Sequence, residues 1–221
     1  MSAEDHVYAM FLQGDKCVAA LCGLSPEQAE QGVPPHWASY VAVNDLEESL
    51  ARVPALGGQI LLPPRDIFEV GRLAVVRDPP GASLSLLQGK LQAGAQLKEE
   101  PVSLCWNELM TRDTGAADDF YRGLFDWDSR LSEIGQEPYT EFTAAGRPAA
   151  GMMAFAEGVE GVSPHWLPYF AVSEIDALAS RARALGAALV VPPEDIPTVG
   201  RFAVIRDPQG AVFGVISLAV D

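Results

Sequence analysis

The chain has 221 residues, 48% of them hydrophobic, which is enough for one large core or two small ones and too much for a disordered polymer. Its formal charge of −15, from 15 basic against 30 acidic residues, leaves no Lys/Arg stripe for phosphate and excludes a nucleic-acid surface. The opening MSAEDHVYAM has no basic patch and no apolar run, and no segment reaches the ~20 apolar residues that span a bilayer, so a cytoplasmic protein without membrane contact is expected.

Cys17, Cys22 and Cys105 are odd in number and lack CxxC spacing, which predicts inert thiols rather than disulfides or a zinc knuckle. From Val33 to Leu87 the chain writes a sentence that it repeats, without insertion, from Val162 to Ile216. HWASYVAVNDLEESLARVPALGG in the first copy becomes HWLPYFAVSEIDALASRARALGA in the second. The unit is far longer than the roughly 20–50 residues of a solenoid repeat, so each copy reads as a domain. The first, 5–88, has no counterpart of VSLCWNELMTRDTGAADDFYRGLF ahead of Tyr8 and begins at the equivalent of Tyr139. A sheet without its first strand exposes an edge or opens its pocket. Three covers are open at this point: another subunit in a homodimer, the second domain, or a strand encoded upstream of a misplaced start. The helix matching Glu174–Leu185 carries Pro54, which removes the amide bond to Leu50 and predicts a kinked or frayed end.

A polar, Gly-containing stretch closed by Pro, GKLQAGAQLKEEP at 89–101, reads as a linker. The second domain, 102–218, opens with a strand over Val102–Met110 and a helix over Thr114–Phe125, where Ala117, Phe120, Tyr121 and Leu124 repeat at helical spacing behind a cap at Asp113 or Thr114. Strands follow over Asp126–Glu133, Tyr139–Ala145, Pro148–Ala156 and Trp166–Val172. A helix over Glu174–Leu185, capped by Ser173 and stopped by Gly186, leads to strands at Ala188–Val191, Arg201–Arg206 and Val212–Leu218. The order is βαβββ twice.

That doubled order, with TRDTGAADDFYRGLFDW, LG followed by PP, and GR before RDPxGA, resembles the vicinal oxygen chelate superfamily of glyoxalases, extradiol dioxygenases, fosfomycin-resistance proteins and bleomycin-binding proteins. Within it the chain is similar to the two-domain actinobacterial type described as glyoxalase-like. The resemblance implies an α+β fold of paired βαβββ modules, with curved, cup-like mixed sheets and helices outside, in tandem domains of which the first lacks its N-terminal strand and helix. Catalytic members hold a divalent ion with His, Gln or Glu on fixed strand positions. Carried over one at a time, these positions fall on Trp106, Pro168, Ser39, Gly214 and Ser85. None offers an imidazole or carboxylate, so neither a metal nor another cofactor is expected. His36 and His165 read as strand-entrance residues satisfied by backbone, and Asp78 and Asp207 as the heads of Asp-Pro-x-Gly turns. Arg72 and Arg201 read as local partners of Asp66 and Asp195.

Alternation along strands puts Leu104, Trp106, Glu108 and Met110 on one face, groups Trp166 with Pro168 and Phe170, and groups Val212 with Gly214 and Ile216. Such faces describe an apolar, aromatic cup with one ionisable group. The ligand-binding candidates are Trp106, Glu108, Trp166, Phe170, Met152, Trp37, Ser39 and Ser85, and Met153 extends the wall. Two functions fit. In one, the protein binds a small apolar or aromatic, polyketide-like molecule without a metal, for sequestration, resistance or metabolite handling. In the other, it is a metal-free lyase, isomerase or hydroxylase-like enzyme of secondary metabolism, with Glu108, its pKa raised by the apolar cup, as the catalytic acid or base. Residues that merely fill a closed barrel are the bland alternative, and a metal-dependent glyoxalase or dioxygenase is the reading the donors favour least.

Overall fold

The computed structural model describes residues 8–67, 70–90, 95–98, 100–132 and 138–219. Among these the chain runs β1 (Tyr8–Gln13), β2 (Lys16–Cys22), α1 (Pro26–Glu30), β3 (Tyr40–Ala42), α2 (Leu46–Ala55), β4 (Gln59–Ile67), β5 (Gly71–Arg77) and β6 (Ser83–Gly89). It continues through β7 (Leu104–Thr111), α3 (Thr114–Phe125), β8 (Asp128–Ser132), β9 (Tyr139–Ala144), β10 (Arg147–Ala154), β11 (His165–Ala171), α4 (Ile175–Ala184), β12 (Ala188–Ile196), β13 (Gly200–Arg206) and β14 (Val212–Leu218). The fold is sheet-rich α+β, with mixed sheets curved by repeated bulges and no closed barrel. No helix of the described residues is long and apolar enough to cross a membrane.

The chain packs as two compact units, each drawing on both repeats. Unit 2 comprises Ala38–Gly94 and Trp106–Leu167. Its strands form two arrays, β3-β6-β5-β4 and β7-β10-β9-β8, and in each the first strand of a βαβββ module pairs parallel with the last. Both helices of this unit turn an apolar stripe to one shared core. From α2 come Leu46, Leu50 and Val53, and from α3 come Ala117, Phe120, Tyr121 and Leu124. They meet Val76, Leu84 and Leu86 of the first repeat and Leu109, Phe142 and Met152 of the second. Each Leu, Val, Phe or Met side chain among these contributes about 1.5–3 kcal/mol through burial, and both repeats supply them. Two glycines allow the approach. A Cβ on Gly58 would collide with the Phe120 ring and meet the Arg77 carbonyl at 2.9 Å, and one on Gly123 would meet Leu56 at 2.6 Å.

Asp113 caps α3 by accepting from Ala116 N–H, and Asp45 caps α2 by accepting from Glu48 N–H. Pro54 does not fray α2, which is ten residues long like α4. Proline stands in the last turn, and Leu56 N–H still reaches the Arg52 carbonyl to close it.

Unit 1 takes the described residues of Met1–Trp37, with Ala95–Cys105 and Pro168–Asp221. Its array runs β11-β14-β13-β12, and α4 covers a small core of Ile175, Ala203, Ile205 and Val215. The expected cap at Ser173 is not formed: the residue at the cap position is Glu174, which makes no capping bond, while the Ser173 carbonyl accepts from Ser217. The hairpin β1-β2 bends at a bulge between Phe11 and Leu12, and a capping box of Ser25 and Gln28 opens α1.

Candidate functional site

Register fixes which side chains of unit 2 share a face. Gly151 on β10 is paired with Glu108 on β7 and with Glu141 on β9, while Met153 is paired with Met110 and Tyr139. Trp106, two residues before Glu108, joins the same face. Opposite Glu141 on β8 stands Arg130, which donates to Glu141 Oε1 through Nε at 3.2 Å and Nη2 at 2.8 Å. The core residues Leu109, Met152 and Phe142 occupy the other face of the same strands.

A hydrogen-bonded chain crosses this face. Trp106 Nε1–H donates to the Tyr139 hydroxyl at 2.7 Å, and Tyr139 is hydrogen-bonded in turn to the Glu108 side chain. With its oxygen already accepting from the indole, the phenol is the donor to the carboxylate. Burial, and then the negative charge of Glu108, hold Tyr139 far above the usual phenol range, so it stays protonated. Gly151 makes the crossing possible: a Cβ there would fall on the Tyr139 hydroxyl and lie 2.8 Å from Trp106 Nε1.

The expected residues are thus distributed over several environments. Trp106 and Glu108 lie on this face, both part-buried. Met152 points to the core at 1% exposure, and its neighbour Met153 lies on the face with Tyr139. Trp166, 6% exposed, is also a core residue: its Nε1–H donates to Tyr121 Oη at 2.9 Å, and Tyr121 donates to Asp78 Oδ2 at 2.9 Å. Ser39 donates to Asn107 Oδ1 at 2.7 Å, on the side of β7 away from Trp106. Ser85 is buried on β6, paired with Tyr40 and Val75. Trp37 and Phe170 belong to unit 1, where their rings meet edge-on at 5.1 Å beside Phe213. Phe170 pairs with the core residue Val215, and Tyr169 is the residue that lies over Gly214, whose absent Cβ would collide with its ring. Sequence reasoning missed Tyr139, Glu141, Arg130 and Gly151. The alternation of Tyr139 and Glu141 was available as a signal, but their partners depend on pairing across strands.

The remaining motifs are structural. His36 and His165 each place Nδ1 against a carbonyl two residues back, at 2.9 Å and 2.8 Å. Arg201 joins Asp195 and Asp176, and Arg72 joins Glu47 with Asp66 at 3.9 Å.

A family model for the Glyoxalase/Bleomycin resistance protein/Dioxygenase superfamily matches residues 103–215. The chain belongs to this superfamily. Over 96% of its length it is 38% identical to CFP32 of Mycobacterium tuberculosis (strain CDC 1551 / Oshkosh), which carries a provisional glyoxylase name, covering 81% of that protein. It is 35% identical to the anthracycline biosynthesis protein DnrV of Streptomyces peucetius, covering 96% of this chain and 80% of that one. Among solved structures it is similar in fold to 2,2',3-trihydroxybiphenyl 1,2-dioxygenase from Sphingomonas wittichii strain RW1, with a TM-score of 0.54 at 12% identity over 86% of this chain and 74% of that one.

The superfamily resemblance places ion ligands at five positions, and the donors there do not fit a divalent metal. Trp106 offers an N–H that is already donating, Pro168 and Gly214 have no donor atom, and Ser39 and Ser85 are neutral alcohols. No group of three or more His, Cys, Asp or Glu able to hold an ion occurs among the described residues.

Proposed function

We propose that this superfamily member binds a planar aromatic, polyketide-like small molecule against the Trp106 face of unit 2, without the ion that catalytic relatives use. The observation that carries the reading is the Trp106–Tyr139–Glu108 chain on a face walled by Met110 and Met153: an aromatic plane for stacking, compliant thioethers and a fixed polar anchor. Similarity to a protein named for anthracycline biosynthesis supports the ligand class.

Titration with 2-hydroxyanthraquinone in the presence of EDTA, followed by tryptophan fluorescence, tests it. Saturable binding that Trp106→Ala weakens by about fivefold or more is expected, since loss of one stacking wall is worth about 1–2 kcal/mol. No saturation, or binding that requires added divalent metal, would overturn the reading.

A second reading rests on the bond between Tyr139 and Glu108. A carboxylate held beside a protonated phenol is suited to moving a proton to or from a bound metabolite. Turnover that survives EDTA and is lost in Glu108→Gln selects this reading; binding without conversion selects the first.

A further inference from the structure

We infer that Arg130 receives a carbonyl oxygen of the bound aromatic, which makes the preferred ligand a quinone or aryl ketone. This rests on the binding reading above and names the group through which the site tells one planar molecule from another.

The inference starts from how unevenly the Arg130–Glu141 pair is buried. The Glu141 side chain is 10% exposed and that of Arg130 is 68% exposed. The carboxylate therefore sits within the sheet and the guanidinium stands out from it. Arginine carries five N–H donors in a rigid plane. Two of them, on Nε and Nη2, go to the same oxygen, Glu141 Oε1, at 3.2 Å and 2.8 Å, and the other three have no acceptor among the described residues. Two bonds to a buried acceptor orient the guanidinium plane, so the remaining N–H groups are set before any ligand arrives. Glu141 also balances the charge of the group. What Arg130 offers is hydrogen bonding rather than an uncompensated cation, and in a chain of net charge −15 that suits a neutral acceptor oxygen better than an anion.

Register puts this donor within reach of the aromatic floor. Arg130, Glu141 and Gly151 stand in one cross-strand row that ends on β7 at Glu108, two residues after Trp106. From Gly151 on β10 to Arg130 on β8 is two strand spacings, about 10 Å. Gly151 adds no side chain of its own to that span. A fused three-ring molecule lying against Trp106 and Tyr139 extends along the row, and an oxygen on its edge meets the arginine N–H groups. Arg130 is thus a specificity residue, and Glu141 the positioning residue behind it.

The experiment compares 2-hydroxyanthraquinone with 2-hydroxyanthracene, which keeps the rings and the hydroxyl and lacks both carbonyls, by equilibrium dialysis against the full chain. Wild type should bind the quinone about fivefold more tightly. Arg130→Met keeps an aliphatic stem without the donors and should bring the ratio close to one. Retained hydroxyanthracene binding shows that the variant is folded. Glu141→Gln removes the buried charge that orients the guanidinium and should narrow the ratio. Should Arg130→Met leave Glu141 uncovered and fail to fold, the double variant with Glu141→Gln removes both charges and carries the same test. A ratio near one in wild type, or a ratio that loss of Arg130 leaves unchanged, overturns the inference while the aromatic-binding reading stands. Failure of both compounds to bind wild type overturns that reading instead.

Discussion

Asp78 and Asp207 head the same turn in the two copies, and each accepts backbone N–H bonds from the residues that follow. That role was legible, because Asp-Pro-x-Gly carries its own turn chemistry. What sets Asp78 apart was not: it is 3% exposed and bonded to Tyr121, a residue of α3 with no sequence link to the turn. Burial raises its pKa above the ordinary 3.8, against the opposing bonds from Tyr121, Gly81 and Ala82. The folded state therefore holds this proton more tightly than the unfolded one. The contribution to stability is fully present below 3.8 and is lost as pH rises through the raised value. Urea unfolding of wild type and Asp78→Asn between about pH 3 and pH 7 should show wild type losing ground to the variant as pH rises, by at most about 1.4 kcal/mol per pH unit. A slope of the opposite sign would mean that the three hydrogen bonds outweigh desolvation.

Among the described helices, α4 is the one without a side-chain cap. Its counterpart in the first copy is α2, where Asp45 stands at the position that Glu174 holds in α4, and α3 uses Asp113 in the same way. Glutamate carries the carboxylate one methylene too far to return to its own first turn. Glu174→Asp should supply the missing bond, worth about 1 kcal/mol, and raise Tm by about 2–4 °C for a chain of this size. An unchanged or lowered Tm by calorimetry would show that the local backbone, with φ −130° and ψ 86°, does not admit the cap. Element boundaries were readable where one period governs a whole segment, as over Thr114–Phe125, and unreadable where proline enters a strand. The strand expected at Ala188–Val191 continues to Ile196 through Pro192 and Pro193. Register shifts between Leu189 and Glu194 let the ladder omit their missing N–H groups, a tertiary accommodation that single-sequence reading takes for a strand end.

For the whole molecule, the duplication was plain in the sequence, but the way its halves combine was not. Contiguous segments 5–88 and 102–218 describe the copying event, whereas the apolar core of unit 2 joins α2 and β5-β6 to α3, β7 and β9-β10. The same gap limited the site. Parity along β7 put Trp106 and Glu108 on one face, but Tyr139 and Gly151 join that face through cross-strand register, which no local pattern encodes. Fragments separate the two partitions. A fragment of residues 38–167 should unfold cooperatively in urea, with slow hydrogen exchange around Phe120. Residues 102–218 alone would leave Leu109, Phe120 and Tyr121 without Leu46, Leu50 and Leu86, and should lack that protection. Cooperative unfolding of 102–218 with Phe120 protected would place stability in the contiguous segment.

The hydrogen atom that serves as the side chain of residue 58 keeps the two copies from being interchangeable. Its counterpart in the other copy is Ala187, and the methyl group tolerated there would strike Phe120 here. Replacing residues 36–81 by 165–210 would carry that alanine into the contact. The two copies share 25 of 55 aligned residues, and at this one the shape of a neighbouring ring forbids the exchange.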